Sequence, residues 1–188
     1  MKSMQVLALV GSLRKDSYNR KLFEAARELA PRGMKLEAFD LGLLPLYNAD
    51  LHDTAQFPEP VERLHRAIRA ADAVLLLSPE YNHSVSGVLK NAIDWASRGP
   101  SAPLQGKPAA IAGASTGMIG TARAQMHLRE ICAALEMPLV PRPEVLVANA
   151  KQKFDASGHL TDENSRKFLK ELLEGLAELV QERSSVKR

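Results

Sequence analysis

Short apolar runs alternate with amphipathic stretches along this chain. Residues 5–10 and 73–77 are nearly continuous apolar segments, too short to form a buried helix. Such runs belong to strands covered on both faces of a parallel sheet. Residues 35–39 and 108–113 read as two further strands. A fifth is expected over 139–147, where two prolines suit a sheet edge. Between the runs the period changes. Residues 17–30 place Leu22, Ala25, Ala26 and Leu29 at helical spacing, and Pro31-Arg32-Gly33 stops the helix. Helices follow over 61–71, with Arg63, Arg66 and Arg69 on a solvated face, and over 87–96 and 121–135. A last helix is expected over 161–181, with Thr161 as its cap and a frayed tail from 183. Residues 41–58 read as a long loop with two prolines, of a length that often carries function.

Strands alternating with helices imply a parallel sheet with helices on both faces. Right-handed crossovers limit the topology to a doubly wound, three-layer α/β fold, and five strands favour the flavodoxin-like order 2-1-3-4-5. Ligands of such sheets sit beyond the carboxyl ends of the strands. The loops after strands one, three and four lie there, and they carry the unusual residues. A length of 188 residues is one domain with room for a well-buried core. The net charge of +3 is mildly basic, but Lys and Arg are interspersed with Asp and Glu. No basic stripe interleaves with aromatics, so a nucleic-acid partner is not expected. The single cysteine, Cys132, excludes an internal disulfide and reads as a small buried hydrophobe on a helix. With no leader-like segment before the first strand and no run of membrane-spanning length, the expectation is a cytoplasmic protein with no membrane partner.

The first loop, Gly11-Ser12-Leu13-Arg14-Lys15-Asp16-Ser17-Tyr18-Asn19, has the chemistry to hold a phosphate. A helix N-terminus near Ser17 offers unpaired N–H groups and a favourable dipole. Ser12 and Ser17 add hydroxyls, Asn19 an amide, and Arg14 a charged fork. Gly11 is expected to let the chain turn sharply off the strand, and the Asp16 carboxylate must point away. Neither the nucleoside-triphosphatase loop nor G-x-G-x-x-G is present. The second loop, Pro79-Glu80-Tyr81-Asn82-His83-Ser84, suits the edge of a flat heterocycle: Pro79 stiffens it, Glu80, Tyr81 and Asn82 offer backbone groups, and Tyr81 an aromatic wall. Ser84 or Ser86 would cap the helix that follows. The third loop, Gly113-Ala114-Ser115-Thr116-Gly117-Met118-Ile119-Gly120, permits close approach of backbone to a ligand. Together the loops point to a mononucleotide, flavin mononucleotide (FMN). The five histidines form neither H-E-x-x-H nor a Cys/His cluster, so no metal site is expected; His83 beside the ring loop could touch a substrate, though a lone His there is more often structural or solvent-facing.

Three blocks carry a resemblance: Gly11-Ser12-Leu13-Arg14-x-x-Ser17-x-Asn19; Pro79-Glu80-Tyr81-Asn82-x-Ser84-x-x-Gly87-x-Leu89-Lys90-Asn91-Ala92-Ile93-Asp94-Trp95; and Gly113-x-Ser115-x-Gly117. Over residues 4–147 the chain resembles the NAD(P)H-dependent FMN reductases, a family that includes quinone, azo-dye and chromate reductases. The resemblance implies a flavodoxin-like fold and homodimers or homotetramers with active sites near a subunit interface. It implies Ser12, Arg14, Ser17 and Asn19 as phosphate ligands, and Pro79, Glu80, Tyr81 and Asn82 as ring contacts. Ser115, Thr116 and Gly117 would border the ring. The implied reaction is ping-pong: hydride passes from NADPH or NADH to FMN, then to a small-molecule electron acceptor such as a quinone, azo compound, flavin or chromate. Residues 123–129 resemble the family as packing and interface. An electron carrier of the flavodoxin type is the alternative. A phosphoacceptor domain would need an acidic pocket where this chain has Gly11-Ser12.

Overall fold

The computed structural model describes residues 3–52, 57–99 and 102–186. Its strands are β1 (Met4–Val10), β2 (Met34–Phe39), β3 (Ala73–Leu77), the short β4 (Glu80–Tyr81) and β5 (Ser84–Val85), β6 (Ala109–Ala114) and β7 (Val145–Val147). Its helices are α1 (Tyr18–Leu29), α2 (Ala49–His52), α3 (Glu59–Ala70), α4 (Gly87–Ala96), α5 (Ala122–Ala134) and α6 (Glu163–Val186). Five strands form one parallel sheet in the order β2-β1-β3-β6-β7, the order expected for a flavodoxin-like fold. The extra pair β4–β5 is an antiparallel hairpin outside it.

Period-two alternation splits the strand side chains between two cores. Val6, Ala8, Val10, Leu75 and Leu77 face a layer built on Leu22, Phe23 and Ala26 of α1 and on Leu169, Leu172, Leu173 and Leu176 of α6. Leu7, Leu9, Val74 and Leu76 face Leu64 and Ile68 of α3, Leu89 and Ile93 of α4, and Leu128 and Cys132 of α5. Cys132 is buried, as expected, and burial pushes its thiol up to about 12. Among the described residues no helix is long and apolar enough to cross a membrane. Register levels the strand ends: Val10 pairs with Leu77, and Leu77 with Ala112. The loops that follow therefore leave the sheet side by side.

Four local expectations change. The fifth strand shrinks to Val145–Val147, with Leu139 held only by a single bridge to Ala109, because prolines interrupt the ladder. The 41–58 segment is not structureless: it contains a turn of 3₁₀ helix (Leu41–Leu43) and α2, while residues 53–56 lie outside the described residues. The last helix is capped by Asp162, whose Oδ1 accepts from the Ser165 N–H at 2.8 Å; the Thr161 hydroxyl donates instead to the Lys153 carbonyl. That helix also runs on through Val186 where fraying was expected, and the remaining tail residues, 187–188, are outside the described set.

Candidate active site

Gly11 follows β1 and donates its N–H to the Leu77 carbonyl at 2.7 Å. A Cβ there would stand 2.5 Å from Ser86 Oγ and 3.2 Å from that same carbonyl. Its glycine is thus required by close approach of two loops and α4, rather than by a sharp turn. Ser12 and Ser17 are buried, and Ser17 Oγ accepts from the Asn19 N–H at 3.2 Å, capping α1. The Asn19 amide is largely engaged within the fold, with one Nδ2 hydrogen left over. Its Nδ2 donates to the Ala114 carbonyl and its Oδ1 accepts from the Ala114 N–H, both at 2.9 Å. Asn19 therefore positions the loop by stapling α1 to the end of β6. Arg20 adds a second tie, Nε to the Ser12 carbonyl at 3.3 Å. Asp16 is drawn off into an ion pair with Lys21 at 2.5 Å, which holds its carboxyl below the usual range. Arg14 is exposed.

After β3 the chain makes a hairpin rather than a plain loop. Asn82 (φ 49°) and His83 (φ 64°) both take left-handed backbone, the requirement of a two-residue turn that matches strand twist. Tyr81 remains 49% exposed. Ser86 is the cap of α4, accepting from the Leu89 N–H at 3.4 Å, while Ser84 Oγ lies 2.9 Å from His127 Nδ1 on α5. The Glu80 side chain turns away from the ring position. Its carboxylate accepts from the N–H groups of Arg123 (2.9 Å) and Ala124 (3.1 Å) and pairs with the Arg123 guanidinium at 3.2 Å. Burial raises its pKa, but these partners outweigh burial and leave it below the ordinary 4.5. Glu80 thus has only backbone to offer a ligand.

In the third loop Ser115 is tied by its N–H to the Val147 carbonyl, and its Oγ accepts from the Gly117 N–H at 3.2 Å. Gly113 sits so close to the Ser78 carbonyl and Thr121 Oγ1 that any side chain would collide. Asn91 and Trp95 of the long motif serve another loop: Asn91 Nδ2 and Trp95 Nε1 both donate to the Pro45 carbonyl, at 2.9 and 2.8 Å, and Asn91 Oδ1 accepts from the Tyr47 N–H.

A cleft of about 250 Å³ lies where the three loops meet. Ser12, Arg14, Ser17 and Asn19 line one side, Pro79, Glu80 and Tyr81 another, and Ser115 and Thr116 a third. Asn82, at the hairpin turn, and Gly117, whose carbonyl accepts from the Asn149 N–H, do not line it. Tyr18 and Ala114 do, and the residue pattern did not single them out for this; Tyr18 follows a cap and Ala114 looks like strand. Both buried hydroxyls and the Arg14 fork suit a phosphate.

The model of the family described as NADPH-dependent FMN reductase matches residues 4–152. The chain belongs to that family. It is 49% identical over 173 residues to an NAD(P)H-dependent FMN reductase of Pseudomonas aeruginosa, covering 92% of this chain and 93% of that one. It is 43% identical to a 2-hydroxy-1,4-benzoquinone reductase of a Burkholderia species, covering 96% and 98%. Among solved structures, the flavoenzyme NAD(P)H:(acceptor) oxidoreductase of Paracoccus denitrificans superposes with a TM-score of 0.86 at 39% identity, covering 95% of this chain and 98% of that one.

Proposed function

We infer that this protein is an NAD(P)H-dependent, FMN-containing oxidoreductase that delivers reducing equivalents to a small flat electrophile. The observation that carries the reading is the convergence of Ser12, Ser17 and Arg14 opposite Pro79 and Tyr81 in one cleft. Ser12, Ser17 and Arg14 would hold the phosphate at the start of α1. The backbone of Pro79, Glu80 and Tyr81 would take the ring edge, with Ser115 and Thr116 at its border. FMN supplies the hydride-exchanging ring when bound. The residues fit that group, since the donors are hydroxyls and a guanidinium and the carboxylate of Glu80, on the cleft wall, is turned away and committed to α5.

At about 250 Å³ the cleft is below the usual 300–1,000 Å³ of an enclosing ligand site. A shallow site leaves room above it for one flat reactant at a time. NAD(P)H and the acceptor would visit in turn, which is ping-pong behaviour. The kinship to a benzoquinone reductase favours quinones, with azo compounds, free flavin and chromate as further acceptors. The named relatives are NAD(P)H-oxidising enzymes, which favours a reductase over an electron carrier. The half-exposed Tyr81 on the second loop and the exposed Met118 and Ile119 on the third are apolar groups that a second copy would cover in a homodimer or homotetramer. A protein with one buried, unpaired cysteine suits the cytoplasm.

The test is an absorbance spectrum followed by anaerobic NADPH or NADH. A yellow protein should bleach with reductant, regain colour with a quinone, and give parallel initial-rate lines. A colourless protein that also fails to take up FMN overturns the reading. Arg14→Ala should weaken FMN retention about tenfold or more, the usual worth of one charge-assisted hydrogen bond, measured by fluorescence titration of the apoprotein.

A further inference from the structure

The first loop has a second cavity on its other side. It is larger than the cleft, about 580 Å³, and it opens at the carboxyl ends of β1 and β2. Ser17 lines both spaces, and Arg20, which lines the second, grips the carbonyl of Ser12, which lines the first. Its walls are mixed: Leu13, Phe23, Phe39 and Leu41 supply apolar and aromatic surface, and charged residues together with Ser157 and His159 supply the rest.

Two of its charged residues are already engaged: Lys21 pairs with Asp16 and Glu24 with Arg27. What remains is specific. The Lys15 ammonium has no ion-pair partner among the described residues. Arg20 uses Nε on Ser12, and its two NH₂ groups take no acceptor among the described residues. Asp40, the first residue after β2, accepts from the Gly42 N–H with Oδ1 at 3.0 Å and keeps Oδ2 available. The cavity therefore offers apolar and aromatic wall, two unspent cations and one carboxylate oxygen.

Those features match one half of a dinucleotide. A purine fills a slot walled by phenyl and aliphatic groups. Guanidinium and ammonium groups neutralise phosphate. A carboxylate downstream of the phosphate loop accepts from a ribose hydroxyl in dinucleotide-binding sheets. A volume of about 580 Å³ is within the range of small-molecule sites. We propose that this cavity takes the adenosine-diphosphate half of NAD(P)H, with Lys15 and Arg20 on the pyrophosphate and Asp40 on a ribose hydroxyl. The nicotinamide half then crosses the single loop 11–17 to reach the cleft. This assignment rests on the reductase reading above, and it makes Asp40 a determinant of co-substrate choice: its charge opposes a 2′-phosphate and so disfavours NADPH.

The probe is ADP-ribose, which is NADH without its nicotinamide, titrated calorimetrically into FMN-loaded protein. Expected are binding, competition with NADH, and a loss of ADP-ribose affinity of about tenfold or more in Lys15→Glu. The KM for NADH should rise by a similar factor while the flavin-to-protein absorbance ratio stays constant. Asp40→Asn, which keeps the Oδ1 acceptor for Gly42, should move the kcat/KM ratio of NADPH over NADH upward severalfold. No binding of ADP-ribose, or binding indifferent to both substitutions, overturns the proposal. A holoprotein that oxidises NADH with unchanged KM in both variants also overturns it and keeps the reductase reading. One that binds ADP-ribose through Lys15 yet oxidises neither nucleotide supports the site and overturns the reductase reading instead.

Discussion

Asn19 shows how a side chain of the right chemistry for a ligand is also used for assembly. Its amide is matched donor-to-acceptor with the backbone of Ala114, and it is buried with its partner. Removing it leaves a buried N–H and a buried carbonyl unpaired, each costing roughly 1–3 kcal/mol. Asn19→Ala is therefore expected to lose about 2–4 kcal/mol in urea unfolding. It should also retain FMN poorly, because α1 and the third loop lose their shared anchor. A variant with unchanged stability and weak FMN binding would return Asn19 to the ligand set. Gly11 makes the same point from the side of size: the missing Cβ is where Ser86 Oγ of the next loop sits. Both residues belong to a motif visible in the chain. Their tasks were not visible there, because the partner atoms lie 95 and 75 positions away.

Helix α5 begins without a cap of its own, for the Thr121 hydroxyl accepts from the Gln125 side-chain amide and takes no backbone N–H of the first turn. The Glu80 carboxylate, 8% exposed, reaches across from the hairpin and supplies it. Cap and ligand loop are thus one unit, and stiffness in α5 passes to the backbone that faces the cleft. The pH dependence follows from the direction of the shift. Glu80 has a folded pKa below 4.5, so its contribution is complete above that pH and fades as pH falls through the lower, folded value. Glu80→Gln should cost about 1–2 kcal/mol at neutral pH, the worth of a good helix cap. It should also flatten the acid side of the stability curve, read by urea titrations between pH 3 and 7. Parallel curves for parent and variant would remove Glu80 from the acid response. The hairpin escaped sequence reading because its strands are two residues long and its turn is Asn82-His83 rather than a glycine pair. The fifth strand was overread for the opposite reason: apolar residues continue through 139–147, but prolines deny the ladder its donors.

Across the whole molecule, the register of the sheet places the ends of β1, β3 and β6 at one level, and everything proposed for function sits on that rim. The apolar tip at Met118 and Ile119 stands on the same rim, and light scattering on a sizing column should show a dimer or tetramer. Met118→Ser with Ile119→Ser should shift that mass downward; a monomeric parent would remove this patch from the account of assembly. The periodicity of the chain determined the five strands and the helices between them, because alternation and helical spacing are local properties that burial rewards directly; the strand order followed from crossover handedness and strand number. It also marked the three loops that carry the family motif, since glycine, serine and proline leave local signatures. Only the tertiary structure decided which polar groups remain for a ligand. Glu80, Asp16, Asn91 and Trp95 are spent on partners remote in sequence or on a neighbouring turn, and Asn19 is largely so, while Ser12, Arg14, Lys15 and Asp40 keep capacity on the rim. Hydrogen-bond satisfaction is a property of the folded neighbourhood, and no local pattern states which of several suitable donors has already been used.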